Sequence, residues 1–218
     1  MYVKKNQFIV LFLNLCIPIY GTTIMLNPAG DARNAGRVID NTFERGLTLQ
    51  LCNELKQELS QQLPDIYIAL TRFPGETVEP LQNAQFANRL NIDLFVAIQL
   101  YSIQEPKPLI TIYQYIYHPT NLWHKPCNEL EFIDIDNAHL NTAQQTHKLG
   151  KIFHTFLQKN EYHHQLAVNN FLSIPFKPLF GIQAPALGIE IGISYKEQWR
   201  LLIPIISEGI RQLLTHLS

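Results

Sequence analysis

Cysteine is scarce in this 218-residue chain: Cys16, Cys52 and Cys127 are the whole complement, and none forms a C-x-x-C pair. A structural zinc knuckle is excluded on that spacing. Cys52 stands beside Leu51 and Leu55 in a helical pattern, which favours a buried thiol. A Cys52–Cys127 bridge is the other arrangement open to an exported protein, and the sequence lends it no support. Excess charge of one sign is lacking too. Lys and Arg number 17 against 18 Asp and Glu, a formal net charge of −1, so neither a nucleic-acid surface nor a solvating acidic tail is expected. No apolar run is long enough for a comfortable membrane span. The longest, Phe8–Ile17, is broken by Asn14; it follows Lys4-Lys5 and precedes Pro18 and Gly21. Residues 1–21 therefore read as a signal peptide or N-terminal anchor, with a first buried strand as the other reading. Leu15 is too large for the small residue that a lipoprotein box around Cys16 would require.

Repeats, low-complexity tracts and linkers are also missing. Residues 22–218 form one domain, with enough chain for a sizeable core. Strands are expected at Thr23–Leu26, Ile66–Leu70, Asp93–Leu100, Leu109–Tyr117, Phe176–Ile182 and Pro185–Ile193, with a further short one at Glu131–Ile135. Helices are expected at Glu44–Gln62, Pro80–Leu90, Asn137–Lys159 and Glu197–Leu217, the last kinked by Pro204. Asn27–Thr42 reads as a long loop, and Glu161–Pro175 as irregular. Strands alternating with helices predict an α/β fold, a mostly parallel twisted sheet with helices on both faces.

Eight histidines are present, but their spacing favours no metal site. His163-His164 are adjacent and point apart, His118 and His124 lie in loops, and His147 and His154 share a face of a helix, as surface residues or, alternatively, as a pH-sensitive or metal-binding pair.

The polar residues of interest lie at strand ends, where α/β folds place their chemistry. The stretch Thr22–Leu51 runs from a short strand through a Pro/Gly/Asp/Asn-rich loop to Glu44, at the mouth of a helix. Asp93–Tyr101 is a buried strand carrying Gln99. Pro185–Ile193 holds Glu190 between Ile189 and Ile191, where a carboxylate is costly unless paired or set in a cleft. Glu190 is thus a site candidate, with an ion pair to Arg33, Arg37, Arg72 or Lys177 as the alternative. Glu44 is either a ligand or a first-turn carboxylate favoured by the helix dipole.

Taken in order, Asn27-Pro28-Ala29-Gly30-Asp31, Glu44, Ala97-Ile98-Gln99-Leu100-Tyr101 and Ile189-Glu190-Ile191-Gly192-Ile193 resemble four motifs of the zinc-dependent N-acetylmuramoyl-L-alanine amidases. Those motifs are D-P-G-H-G-G, a Glu opening the first helix, S-I-H-A-N, and V-E-x-G-F. The resemblance is strongest over Ile24–Tyr101 and Phe176–Leu214, and weakest over Ser102–Pro175. It implies an amidase-like fold, with Glu44 as a retained metal ligand and Glu190 as the retained catalytic general base. Asn27 and Arg72 would be substrate-binding residues. Both family histidines are replaced, by Gly30 and Gln99, leaving Asp31, Gln99 and Asn27 as weak oxygen donors that suit a harder ion better than zinc. Leu100-Tyr101 and Asn83 depart further from the pattern, and the first two add bulk to the expected cleft. The expectation is an exported protein of the periplasm or cell envelope that binds peptidoglycan, muropeptides or an envelope partner, without cofactor and without catalysis. An active amidase, with zinc in an altered ligand set, and a structural envelope protein are the alternatives.

Overall fold

The unbroken apolar run Ile24-Met25-Leu26 has no polar face to offer water, and it forms the centre of strand β1 (Thr23–Pro28), buried inside the sheet from Ile24 onward. The computed structural model describes residues 21–79, 81–116 and 135–217. The expected export segment, Cys16, Cys127, His118, His124 and most of the strand foreseen at Glu131–Ile135 lie outside the described residues. After β1 come β2 (Val38–Ile39), β3 (Thr42–Phe43), α1 (Glu44–Gln62), β4 (Tyr67–Leu70), α2 (Gln82–Leu90), β5 (Leu94–Ser102) and β6 (Leu109–Gln114). The chain ends with α3 (Ala143–Leu157), β7 (Ala167–Ser173), β8 (Ala186–Ile193) and α4 (Ile203–Leu214).

The main sheet has six strands in the order β4-β1-β5-β8-β6-β7. Its pairings are parallel except β6 against β8, which is antiparallel. The α/β reading with a mostly parallel sheet therefore holds. Alternate residues of the strands feed two cores. Leu94, Val96, Ile98 and Leu100 of β5 and Leu187, Ile189 and Ile191 of β8 pack under α1, α3 and α4. Met25, Phe95, Ala97 and Ala186 face the smaller core under α2 and the segment from Leu179 to Ile182. In α1, Leu47, Leu51, Leu55 and Leu59 make the inward stripe, and truncating any one of them to Ala costs about 2–5 kcal/mol. Cys52 is a buried free thiol on the same helix, its pKa pushed far up by burial. Among the described residues no helix is long and apolar enough to cross a membrane.

Five expectations need correction. The stretch Phe176–Ile182 is not a strand: it holds a single 3-10 turn at Lys177–Leu179, because Pro178 fixes φ and offers no N–H to a ladder. The supposedly irregular Glu161–Pro175 contains the edge strand β7, whose exposed Asn169-Asn170 hides the alternation that would reveal it. The helix foreseen from Asn137 begins only at Ala143, after a 3-10 stretch over Ile135–Thr142. Pro204 does not kink α4 but sits in its first turn, where a missing N–H leaves no helical bond unmade; a 3-10 turn over Gln198–Leu202 precedes it. The loop Asn27–Thr42 closes with the β2–β3 hairpin, whose turn residues Asp40 and Asn41 take φ of 44° and 61°. Asp and Asn tolerate that left-handed region, as a two-residue hairpin turn requires.

Candidate functional site

The residues singled out at strand ends fall into two clusters along the C-terminal edge of the parallel strands. The first lies where β1 and β4 end. Asn27 is buried, and its Oδ1 accepts from Thr71 Oγ1 at 2.8 Å and Asn83 Nδ2 at 3.0 Å. Arg72 is also buried; its Nη2 donates to the carbonyls of Ala29 and Arg45, each at 2.8 Å. Burial, with no carboxylate paired to it among the described residues, holds the Arg72 guanidinium below its ordinary pKa. Asp31 bonds to the loop backbone rather than to either of these side chains. Its Oδ1 accepts from the N–H groups of Asn34 and Arg33 at 2.7 and 2.8 Å, and its Oδ2 from that of Val78 at 3.2 Å. These bonds, chiefly that from Asn34, lower its carboxyl pKa. Gly30 adopts φ of +72°, and a Cβ there would lie 2.7 Å from Arg45 Cβ and 2.8 Å from Asn34 O. A side chain at position 30 would therefore need the loop to be rebuilt.

The second cluster lies where β5 and β8 end, and it brings Glu44, Gln99 and Glu190 together. Glu44 opens α1 without a capping side chain. It is buried, and both of its oxygens serve the backbone: Oε1 accepts from Leu100 N and Oε2 from Arg37 N, each at 3.0 Å. Gln99 and Glu190 are neighbours in register across β5 and β8, on the face that carries α2. Glu190 Oε1 pairs with Arg37 Nη1 at 2.7 Å, and Glu190 Oε2 accepts from the Tyr113 hydroxyl at 2.7 Å. Of the ion-pair partners that the sequence offered Glu190, Arg37 is the one present. Burial first, and then the bond to Glu190, push the Tyr113 phenol up to about 12.

Glycines shape this second cluster. Gly188 and Gly192 stand two residues either side of Glu190 on the same face of β8. A Cβ on Gly188 would lie 2.5 Å from the Phe176 ring, and one on Gly192 would lie 2.7 Å from Ile103 Cγ2 and 2.8 Å from Tyr101 Cζ. The rings of Phe176 and Tyr101 are thus laid down on either side of the carboxylate. Tyr113 stacks on Phe176 with centroids 4.8 Å apart, and the Arg37 guanidinium lies 5.5 Å from the Tyr101 centroid. The rings of Tyr101, Tyr113 and Phe176 thus flank the Glu190–Arg37 pair, with Gln99 next to Glu190 in register, and are the walls of a candidate slot. On its floor, Thr111 Oγ1 accepts from Asn169 Nδ2 at 3.0 Å. Arg37, Tyr113 and Phe176 were not singled out as site residues from the sequence. The one signal for the slot was G-I-E-I-G, a glycine two residues to each side of a strand carboxylate. Tyr101 lines the slot wall, whereas Leu100 does not fill it, since it points into the opposite core.

A zinc ion does not fit these donors. A hydrolytic site needs three protein ligands and one open position. Glu44 and Glu190 are tied to Leu100 N, Arg37 and the Tyr113 hydroxyl, Gly30 has no side chain to coordinate, and Gln99 offers an amide where an imidazole would be needed. The described residues contain no group of three His, Cys, Asp or Glu placed to hold a metal.

No family model matches the sequence, and no curated protein matches it. Solved structures do match. The N-acetylmuramoyl-L-alanine amidase AmiC2 of Nostoc punctiforme superposes with a TM-score of 0.61 at 16% identity, over 89% of this chain and 97% of that one. The N-acetylmuramoyl-L-alanine amidase of Clostridium difficile 630 gives 0.55 at 20% identity, over 89% and 97%. The CwlD amidase of Clostridioides difficile, in complex with the GerS lipoprotein, gives 0.57 at 16% identity, over 89% and 98%. This chain has the N-acetylmuramoyl-L-alanine amidase fold. At such identities the likeness establishes the fold alone, and function has to be argued from the site.

Proposed function

We propose that this protein is a non-catalytic module of peptidoglycan metabolism, exported to the periplasm or cell envelope, which binds peptidoglycan fragments on an amidase scaffold. One observation carries the reading: Arg37 occupies the ground between the two carboxylates, its backbone N–H on Glu44 and its guanidinium on Glu190. A general base must be free to take a proton from the attacking water. Glu190 instead accepts two hydrogen bonds, one of them from a fixed cation. The expected ligand histidines are Gly30 and Gln99, and the backbone at Gly30 leaves no room for a side chain. What persists is an aromatic slot with hydrogen-bonding side chains, the usual make-up of a small-ligand site. Peptidoglycan as the ligand rests on the shared fold and on the resemblance at the strand ends. Export rests on the charge and length of residues 1–21. A protein partner in the envelope is a lesser part of the proposal, motivated by the amidase-fold neighbour bound to a lipoprotein.

The test is co-sedimentation of the full-length protein with purified peptidoglycan in zinc-supplemented buffer, with the supernatant analysed by mass spectrometry for released stem peptides. Binding without release is the expected result. Release of peptides that depends on Glu190 would replace the proposal with an active amidase. Absence of both binding and release would leave a structural envelope protein.

A further inference from the structure

We propose that the free edge of the Arg37 guanidinium is a carboxylate-binding subsite, so that the aromatic slot takes a peptide-bearing fragment with a free carboxyl group. The inference rests on the slot being the binding site, as proposed above. A guanidinium presents its N–H donors in a planar fork, and a carboxylate fits one edge of that fork with two parallel bonds. Arg37 spends Nη1 on Glu190 Oε1 at 2.7 Å and, at 3.5 Å, on the carbonyl of Leu100. Its Nε and Nη2 have no partner among the described residues, and 47% of the side chain is exposed against 15% for Glu190. The unused donors are thus on the accessible member of the pair.

The fork is held in place before any ligand arrives. Arg37 N donates to Glu44 Oε2 at 3.0 Å, and Arg37 O accepts from Glu44 N at 2.8 Å, so the residue is clamped at both backbone groups to the start of α1. Glu190 holds one end of the guanidinium, and the Tyr101 ring lies beside it. A long side chain ordinarily loses rotamer freedom on binding a ligand; here much of that cost is met within the protein. Glu190 has both oxygens engaged and is therefore an anchor for the fork rather than the ligand's partner. The flanking rings of Tyr101, Tyr113 and Phe176 offer apolar walls to the group that carries the carboxyl.

Isothermal titration calorimetry of the full chain tests this with two probes. One is N-acetylmuramoyl-L-alanyl-D-glutamate, and the other is the same compound with both glutamate carboxyls amidated. The wild-type protein is expected to bind the acid about tenfold more tightly than the amide, the difference of one good charge-assisted contact. In Arg37→Gln the preference of the acid over the amide is expected to vanish. If acid and amide bind the wild type equally, the carboxylate subsite is wrong and the slot reading stands. If neither binds, both are wrong. The wild-type comparison decides the matter by itself, even if Arg37→Gln proves poorly folded.

Discussion

The two polar clusters at the C-terminal edge of the sheet share a location and differ in how they are closed. At the ends of β1 and β4, Asn27, Thr71, Arg72 and Asn83 bond to one another and to backbone carbonyls, and Asn27, Thr71 and Arg72 are buried. At the ends of β5 and β8, the Arg37 and Glu190 side chains are 47% and 15% exposed, beside rings that rest on Gly188 and Gly192. The first cluster is buried, and the second is the one that the proposed function takes as the site. Position at a strand end is therefore not enough to assign function; exposure separates the two, since hydrogen bonding does not: Arg72 Nε and Asn83 Oδ1 of the first cluster are buried without a partner among the described residues, while both Glu190 oxygens are bonded.

The widest separation between the clusters should appear in stability. Arg72→Ala removes a buried cation and leaves the carbonyls of Ala29 and Arg45 without their donor. A loss of about 3 kcal/mol is expected, read as a lowered urea midpoint. Arg37→Ala breaks a half-exposed ion pair and should cost below about 1 kcal/mol. Equal losses for the two would erase the distinction drawn here.

Gly36→Ala comes next. Its φ of +73° disfavours a side chain, and the new Cβ would lie 2.7 Å from Glu44 Oε2. A cost of about 2 kcal/mol is expected from strain and crowding together. Because the loop carrying Arg37 would shift, muropeptide binding should weaken as well. Unchanged binding would show that Gly36 does not help to position Arg37.

The alkaline limb of stability gives a smaller and more local readout. The Tyr113 phenol is raised from 10 to about 12, by burial and by its bond to Glu190. The neutral form is thus favoured in the folded protein. That contribution is complete below pH 10 and is lost as pH rises through about 12. The wild type should lose stability more steeply than Tyr113→Phe over this window, as measured by urea unfolding at a series of pH values. Parallel slopes would remove Tyr113 from the Glu190 network. Smallest of all is Glu190→Gln, expected to change stability by less than about 1 kcal/mol, since its partner Arg37 is half exposed and rehydrates.

Much of the fold was legible because it is written in unbroken apolar runs. Ile24-Met25-Leu26 and Leu94 to Ile98 read as interior strands, Leu187 to Ile193 does so with Glu190 as its one interruption, and the four-residue leucine spacing of α1 reads as a helix face. The edge was harder to read. An edge strand such as β7 is shaped by one neighbour, and Asn169 and Asn170 give no periodic signal. The site was legible only by halves. The carboxylates stand out because a charge inside an apolar run is costly. Arg37 was only one of four basic residues that could pair with Glu190, and the sequence does not single it out before the hairpin at Asp40-Asn41 forms and Arg37 reaches Glu190. The separation of Asn27, Asp31 and Arg72 from Glu44 and Glu190 is also a matter of three-dimensional bonding that spacing does not encode.

The central claim is that an arginine fixed to two carboxylates stands in an amidase-fold site that does not accommodate zinc. The most direct test is the zinc content of the full-length protein after zinc supplementation and exhaustive dialysis, measured by inductively coupled plasma mass spectrometry. The account predicts no stoichiometric zinc. One zinc per chain, lost in Glu44→Ala, would contradict it.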